Sequence, residues 1–223
     1  MSKIEVAFDA DGLLCPAPFP LTMLALLLRL YKTPHKPKEG KKKETNSVVN
    51  RTLHNALRPL RPLNDLWHYI RPMDGRVLNN IATFKDKQEG LGNEVITSVV
   101  SGRSERLKDQ TTQKIAEAGY PHLFNGEINL RPDGYSSPGW KSHRAKLNPN
   151  GADIYCHIDD DLKAAHQIAL EAPKAHVFLV GYGGLMTSGT LYKWNKIECP
   201  PNLHLVGSVA LALNAIANLK IKS

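Results

Sequence analysis

Three runs of apolar and β-branched residues along the chain each stop abruptly at polar or acidic residues. The runs are residues 4–8, 95–100 and 154–158. Runs of this length and composition predict buried strands. The second and third are followed by apolar spacings that predict helices over residues 104–118 and 162–170. Strands that alternate with helices and end in polar residues predict an α/β fold with a mainly parallel sheet and one functional edge.

The last part of the chain predicts three more elements. Residues 175–180 indicate a further core strand, residues 181–184 a glycine-containing turn, and residues 207–219 a weakly amphipathic helix. We expect this helix to pack back on the domain.

Length and composition fit one catalytic domain with a substantial insertion. The chain has 223 residues, of which 42% are hydrophobic and 22% charged, as is ordinary for a soluble globular protein. The most apolar stretch, residues 21–30, is too short to cross a bilayer, and no signal-peptide pattern is visible. The three cysteines show no metal-ligand spacing, so we expect a reducing, cytoplasmic location and no membrane partner.

Two aspartates one residue apart, Asp9 and Asp11, follow the first predicted strand. Carboxylates in this position lie where open α/β sheets bind ligands. Both side chains are able to approach one cation or one phosphoryl group, which favours phosphoryl chemistry. The same Asp-x-Asp-Gly pattern also opens calcium-binding loops and ordinary turns, so the pair by itself leaves these alternatives open.

Four short motifs occur in an order that resembles motifs I to IV of the haloacid dehalogenase (HAD) superfamily. They are Asp9-Ala10-Asp11-Gly12, Ser101-Gly102-Arg103, Lys141 and Asp159-Asp160. The resemblance covers about residues 1–14 and 95–182. It implies a Rossmann-like three-layer sandwich in which residues 1–14 and 95–223 form the catalytic core and residues 15–94 form an inserted cap or lid.

The resemblance gives the two aspartates of the first motif separate roles. Asp9 would be the nucleophile, because a carboxylate that attacks phosphorus forms an acyl phosphate and divides hydrolysis into two steps. Asp11 would protonate the leaving alkoxide and then activate the water that resolves the intermediate. The implied activity is that of a phosphatase acting through an aspartyl-phosphate intermediate.

The resemblance also implies a metal ion. A phosphate dianion is repelled by a carboxylate, so a hard divalent cation, Mg²⁺ in the usual case, must bridge the two. Asp159 and Asp160 would hold it with Asp9 and the Ala10 carbonyl, and we count Asp11 among the metal-binding residues. Asp161 fits better as the cap of the following helix, although ligand exchange within the acidic run stays open.

The remaining motif residues, Ser101, Gly102, Arg103 and Lys141, are expected to bind the substrate. The Ser101 hydroxyl would donate to a non-bridging phosphoryl oxygen, and the Lys141 ammonium would offset charge on the pentavalent arrangement. Two alternatives stay open here: Ser101 is also suited to capping the next helix, and Lys146 competes with Lys141 for the third motif.

Two residues of the third predicted strand invite a structural interpretation. Cys156 lies inside the strand and is expected in the core. His157 is adjacent to the acidic run, but the alternation of side chains along a strand favours a satisfied core histidine. The nine histidines of the chain show no metal-binding spacing.

Residues 15–94 carry most of the positive charge. They contain 14 Lys and Arg against 7 Asp and Glu, in a chain whose net charge is +8. A cationic surface near an active site favours polyanions, and Trp67, Tyr69 and Trp140 are suited to stacking on a base. The lysine-rich stretch 32–43 is equally typical of a solvated loop.

Two further likenesses favour nucleic-acid ends as substrates. Residues 131–141 are similar to the stretch before the motif III lysine in HAD phosphatases of the polynucleotide 3′-end type. Residues 8–20 resemble the HAD domains of RNA-repair proteins. We therefore expect a phosphorylated nucleotide or an RNA or DNA 3′ end as substrate. The alternatives are a small-metabolite phosphatase and a non-catalytic HAD-fold module that binds RNA or protein.

Overall fold

In the computed structural model, residues 1–11, 13–15, 72–181 and 198–219 are described. Six strands within them form one sheet in the order β3-β2-β1-β4-β5-β6, with every neighbouring pair parallel. The strands are β1 (Lys3–Phe8), β2 (Glu94–Ser104), β3 (Ile128–Arg131), β4 (Ile154–Asp159), β5 (His176–Val180) and β6 (Leu203–Val206). The predicted α/β fold with a parallel sheet is confirmed.

Five helices accompany the sheet in the described residues. They are α1 (Gly75–Gly90), α2 (Lys108–Glu117), α3 (Ser137–Leu147), α4 (Leu162–Glu171) and α5 (Val209–Ala217), and a 3₁₀ turn (Glu105–Leu107) precedes α2. Four helices begin at a side-chain cap, namely Asp74, Ser136, Asp161 and Ser208. Each cap satisfies backbone N–H groups of the first turn that have no partner within the helix.

The structure adds four elements that the sequence patterns do not predict: α1, α3, β3 and β6. The two strands have four residues each and form the two edges of the sheet. Only one residue of each is fully buried, so neither shows the long apolar run that indicates a core strand. Helix α1 lies in the segment that the sequence assigned to the insert.

Alternating side chains of each strand supply two separate cores. On one face, Ile4, Val6 and Phe8 of β1 pack in a cluster with buried side chains of α1, α2 and α5. On the other face, Ala7 and Tyr155 belong to a cluster that includes α3 and α4. The helices thus cover both faces of the sheet, which gives the three layers expected of a Rossmann-like fold.

The described residues belong to one compact unit. This unit includes α1, whose Leu78, Ile81 and Phe84 are buried in the first core. Residues 16–71 of the expected insert lie outside the described residues, and so do Trp67, Tyr69 and most of the predicted turn at 181–184.

No helix in the described parts of the chain has both the length and the apolar content needed to cross a bilayer.

Candidate active site

The carboxyl ends of the parallel strands place the predicted acidic residues side by side. Strands β1 and β4 are neighbours with Phe8 opposite Ile158, and the Asp9 N–H donates to the Ile158 carbonyl at 3.1 Å. Asp9 therefore lies next to Asp159, although 150 residues separate them in sequence. Both carboxylates are almost completely buried. We call this end of the sheet the carboxyl edge.

Lys141 joins the two acids from the helical layer. Its Nζ lies 3.0 Å from Oδ2 of Asp9 and 2.8 Å from Oδ2 of Asp159, and only 2% of its side chain is exposed. Helix α3 presents it because the helix begins at the carboxyl edge, where the Ser136 side chain accepts the Gly139 N–H. Lys146, the competing candidate, is exposed to solvent. The structure therefore brings Lys141, and not Lys146, to the acids.

Three carboxylates form a group that fits a hard cation. Asp9, Asp159 and Asp160 each offer an oxygen, and these oxygens lie within 4.8 Å of one another. Oδ1 of Asp9 is buried and has no hydrogen-bond partner among the described residues. A set of oxygen donors with an unsatisfied buried acceptor is what Mg²⁺ or a similar ion requires. Asp11 contributes no side-chain oxygen to this group.

Burial and mutual repulsion give the site unusual electrostatics. The pKa of Asp9 lies well above its ordinary value, chiefly because burial disfavours the charged form. The positive charge of Lys141 lowers this pKa, and repulsion by the neighbouring carboxylates raises it. Burial alone would raise the pKa of Asp159, but Lys141 and then His157 hold that pKa below its ordinary value. The site without a cation thus keeps Asp159 ionised and favours a proton on Asp9.

Asp161 caps α4, as the sequence predicts. Its Oδ1 accepts the N–H groups of Lys163 and Ala164 at 2.8 and 3.3 Å. Its own N–H donates to Oδ1 of Asp159 at 2.9 Å. The third acid of the run therefore starts the helix and at the same time orients Asp159.

Arg103 binds Asp11. Its Nε and Nη2 both donate to Oδ1 of Asp11, at 3.1 and 2.9 Å. Nη1 lies 3.5 Å from the Thr111 hydroxyl, and only 1% of the Arg103 side chain is exposed. Burial alone would lower the pKa of Arg103, but the Asp11 carboxylate raises it. The sequence assigns Arg103 to substrate binding, whereas in this structure its guanidinium holds the expected general acid/base.

Ser101 and Gly102 lie at an irregularity of β2. The pairing of β2 with β3 shifts register between Ser101 and Ser104, which marks a bulge. Ser101 is fully buried, and its Oγ accepts the Arg103 N–H at 3.3 Å, which leaves the hydroxyl proton to donate elsewhere. Ser104, and not Ser101, occupies the N-cap position of the following 3₁₀ turn, and it makes no side-chain cap hydrogen bond. A Cβ at Gly102 would collide with the Ser137 side chain.

His157 contacts Asp159 of the candidate site. The interpretation of His157 as a core histidine did not predict this contact. The histidine is completely buried on β4, with Nε2 3.2 Å from Oδ2 of Asp159. Burial lowers its pKa. Side chains two apart on a strand share a face, so its spacing from Asp159 was the available signal. Cys156 is buried in the core, as predicted.

Three aromatic side chains form a cluster at the start of α3. The rings of Tyr135 and Trp140 meet edge to face at 5.5 Å between centroids, and His143 lies 5.6 Å from Tyr135 and 6.1 Å from Trp140. Tyr135 is exposed, and the other two are half-buried. We call these three residues the aromatic cluster.

Comparison with known proteins identifies the fold. No protein-family model and no curated protein matches the chain. Among solved structures, a Lactobacillus delbrueckii subsp. bulgaricus protein provisionally described as a phosphoglycolate phosphatase has a TM-score of 0.57 and 17% identity, covering 97% of this chain and 99% of that one. A haloacid dehalogenase-like hydrolase from Streptococcus pneumoniae has a TM-score of 0.52 and 11% identity, covering 95% and 97%. At these identities the likeness shows the fold alone.

Proposed function

The chain has the fold of HAD-like hydrolases, and from that premise we propose that it is a divalent-metal-dependent phosphomonoester hydrolase acting through an aspartyl-phosphate at Asp9. One observation carries the proposal. A buried carboxylate, Asp9, lies beside a buried ammonium and two further carboxylates, and one of its oxygens has no partner among the described residues.

The residues suit the two steps of such a reaction. A carboxylate oxygen of Asp9 attacks phosphorus while the bond to the alcohol oxygen breaks, and Asp11 gives that oxygen a proton. Asp11 then takes a proton from water as the water attacks the aspartyl-phosphate, which returns both aspartates to their starting states. Lys141 and the Ser101 hydroxyl would stabilise the charge on the phosphoryl oxygens.

The carboxylate group of Asp9, Asp159 and Asp160 would hold Mg²⁺. The ion would supply positive charge that lets a phosphate dianion approach the nucleophile.

Hydrolysis of p-nitrophenyl phosphate tests the activity. We expect turnover by the wild-type protein with Mg²⁺, its loss with EDTA, and a fall on the order of 10³-fold or more in Asp9→Asn. Asp86→Asn is the matched control, because Asp86 is an exposed aspartate in the middle of α1. Turnover that survives in Asp9→Asn would exclude Asp9 as the nucleophile. RNA binding without turnover on any phosphate ester would instead favour the non-catalytic binding module.

The favoured substrate within this proposal is a phosphorylated nucleotide or a nucleic-acid 3′ end. The net charge of +8 and the aromatic cluster at the start of α3 support it, because backbone phosphates bind cations and bases stack on aromatic rings. The second candidate is a small phosphorylated metabolite, favoured by the name of the Lactobacillus protein. A reducing intracellular location also belongs to the proposal, since all three cysteines are free thiols.

A salt series separates the two substrates. If about three backbone phosphates are contacted, kcat/KM on a 3′-phosphorylated oligonucleotide should fall roughly 20-fold between 50 and 200 mM salt. Trp140→Ala should raise KM for the oligonucleotide, whereas Trp140→Phe should preserve it because the ring still stacks. A flat salt response together with better turnover of small phosphates would favour the metabolite.

A further inference from the structure

Asp159 is held by donors on both of its oxygens. Oδ2 lies 2.8 Å from Lys141 Nζ and 3.2 Å from His157 Nε2, and Oδ1 accepts the Asp161 N–H at 2.9 Å. An ionised carboxylate has about four acceptor positions, two on each oxygen. Lys141 and His157 therefore fill Oδ2, and one position is left on Oδ1.

The contact between His157 and the Asp159 carboxylate decides which nitrogen of His157 carries the proton. A carboxylate accepts hydrogen bonds and does not donate them, so Nε2 must be the protonated nitrogen that faces Asp159. The other nitrogen, Nδ1, is buried and has no hydrogen-bond partner among the described residues. The contact with Asp159 is thus the one hydrogen bond that the described structure gives this ring.

His157 lies on a buried face of the sheet that carries other polar side chains. Glu5, Ser98 and Tyr155 are buried on the strands of this face, and Arg144 is buried on α3. Ser98 donates to Oε1 of Glu5 at 3.0 Å, but Glu5 Oε2, Arg144 Nη1 and the Tyr155 hydroxyl have no partner among the described residues. Burying polar atoms without partners costs free energy. A leucine at position 157 would avoid part of this cost.

We infer that His157 is a positioning residue whose Nε2–H holds Oδ2 of Asp159, so that the remaining acceptor position on Oδ1 serves the divalent cation beside Asp9 and Asp160. The inference rests on the proposed function, because it gives His157 a task only if the carboxylate group binds a cation. Without the histidine, the carboxylate would keep Lys141 and Asp161 as donors, but the second acceptor position on Oδ2 would be open.

The test compares variants that keep or remove the donor. His157→Gln retains an N–H at a similar distance from the backbone, whereas His157→Leu has a similar volume and no donor. The affinity of the substrate-free full chain for Mn²⁺ is measured from the loss of the free-ion electron paramagnetic resonance signal. We expect His157→Leu to bind Mn²⁺ about 10–100-fold more weakly and His157→Gln to stay within about threefold of wild type.

Controls separate positioning from folding. His122→Gln changes an exposed histidine and should leave Mn²⁺ affinity unchanged. Excess Mn²⁺ should restore most of kcat in His157→Leu, since the lost step is cation binding. If His157→Leu does not fold, His157→Asn replaces it, because its shorter amide does not reach Asp159 and should also bind Mn²⁺ weakly.

Each outcome decides the inference. Wild-type affinity in the Leu or Asn variant would overturn it, and so would a Gln variant as weak as Leu, because the N–H would then be irrelevant. In both cases a wild-type protein that binds Mn²⁺ and hydrolyses phosphate esters leaves the proposed function standing. A wild-type protein that binds no Mn²⁺ overturns the inference and the metal-dependent function together.

Discussion

At the scale of single residues, the contact between Arg103 and Asp11 bears on the proposed protonation of the leaving group by Asp11. Two N–H groups of one guanidinium donate to the same oxygen of Asp11, and Arg103 is itself held against Thr111. Such a charge-assisted, two-point contact fixes the direction of a carboxylate more tightly than a lysine would. Arg103 of the second motif thus orients Asp11 of the first motif.

Replacing Arg103 by lysine tests this role. We expect Arg103→Lys to lower kcat/KM on an alkyl phosphate about 10–100-fold and kcat/KM on p-nitrophenyl phosphate much less. This ratio reports the formation of the aspartyl-phosphate, in which nitrophenolate leaves without needing a proton. Steady-state kinetics on the two substrates provides the measurement. An equal loss on both, accompanied by a higher KM, would instead support the sequence-based assignment of Arg103 to phosphate binding.

The residue scale also shows the limit of motif reasoning. The sequence assigned roles to Asp9, Lys141 and Asp159, and the structure brings these three together. The sequence could not show that Arg103 turns towards Asp11, because the direction of a side chain at a bulge depends on neighbours that are distant in sequence.

At the scale of elements, α4 links helix capping to the acidic group. Asp161 uses its side chain to start the helix and its backbone N–H to hold Asp159. Among the described residues, the carboxylate group that fits a cation consists of Asp9, Asp159 and Asp160 and does not include Asp161.

Two substitutions at Asp161 distinguish these roles. Asp161→Ala should lower the free energy of unfolding by about 1 kcal/mol, since it removes the cap. Asp161→Asn should keep both stability and activity, because an asparagine also caps helices and the backbone donor to Asp159 remains. Chemical denaturation and phosphatase assays measure the two effects. A stable Asp161→Asn protein with strongly reduced Mn²⁺ affinity would show that Asp161 is a ligand.

The elements differ in how well the sequence revealed them. The strands β1, β2 and β4 and the helix α4 follow from apolar runs and spacings, because each buries a whole face or stripe. The edge strands β3 and β6 do not, since each has four residues, mostly half-buried. Their existence depends on backbone hydrogen bonds offered by β2 and β5, which the pattern of side chains does not encode.

At the scale of the whole molecule, the raised pKa of Asp9 predicts that stability depends on pH and on binding of the proposed cation. The pKa of Asp9 is raised above its ordinary value of 3.8. Between that value and the raised pKa, the folded state binds this proton more tightly than the unfolded state does. The contribution of Asp9 to stability is therefore complete below about pH 3.8 and is lost as the pH rises through the raised pKa.

Thermal unfolding measures this contribution. In the absence of metal at pH 8, Asp9→Asn should be more stable than wild type by about 1 kcal/mol, or roughly 3 °C in Tm, and the difference should shrink at lower pH. Mg²⁺ at about a hundredfold excess over its Kd should add about 2.7 kcal/mol to wild type. An Asp9→Asn variant that is less stable than wild type at pH 8 would contradict the direction of the Asp9 pKa.

The sequence by itself determined the fold class and the chemical types at the carboxyl edge. Apolar runs must be buried, and in parallel strands the residues that follow them meet at one edge. The tertiary structure alone decided which partners these residues have. Lys141 rather than Lys146 reaches the acids, Arg103 turns to Asp11, and His157 contacts Asp159, because those contacts depend on strand register and on how α3 packs across the sheet.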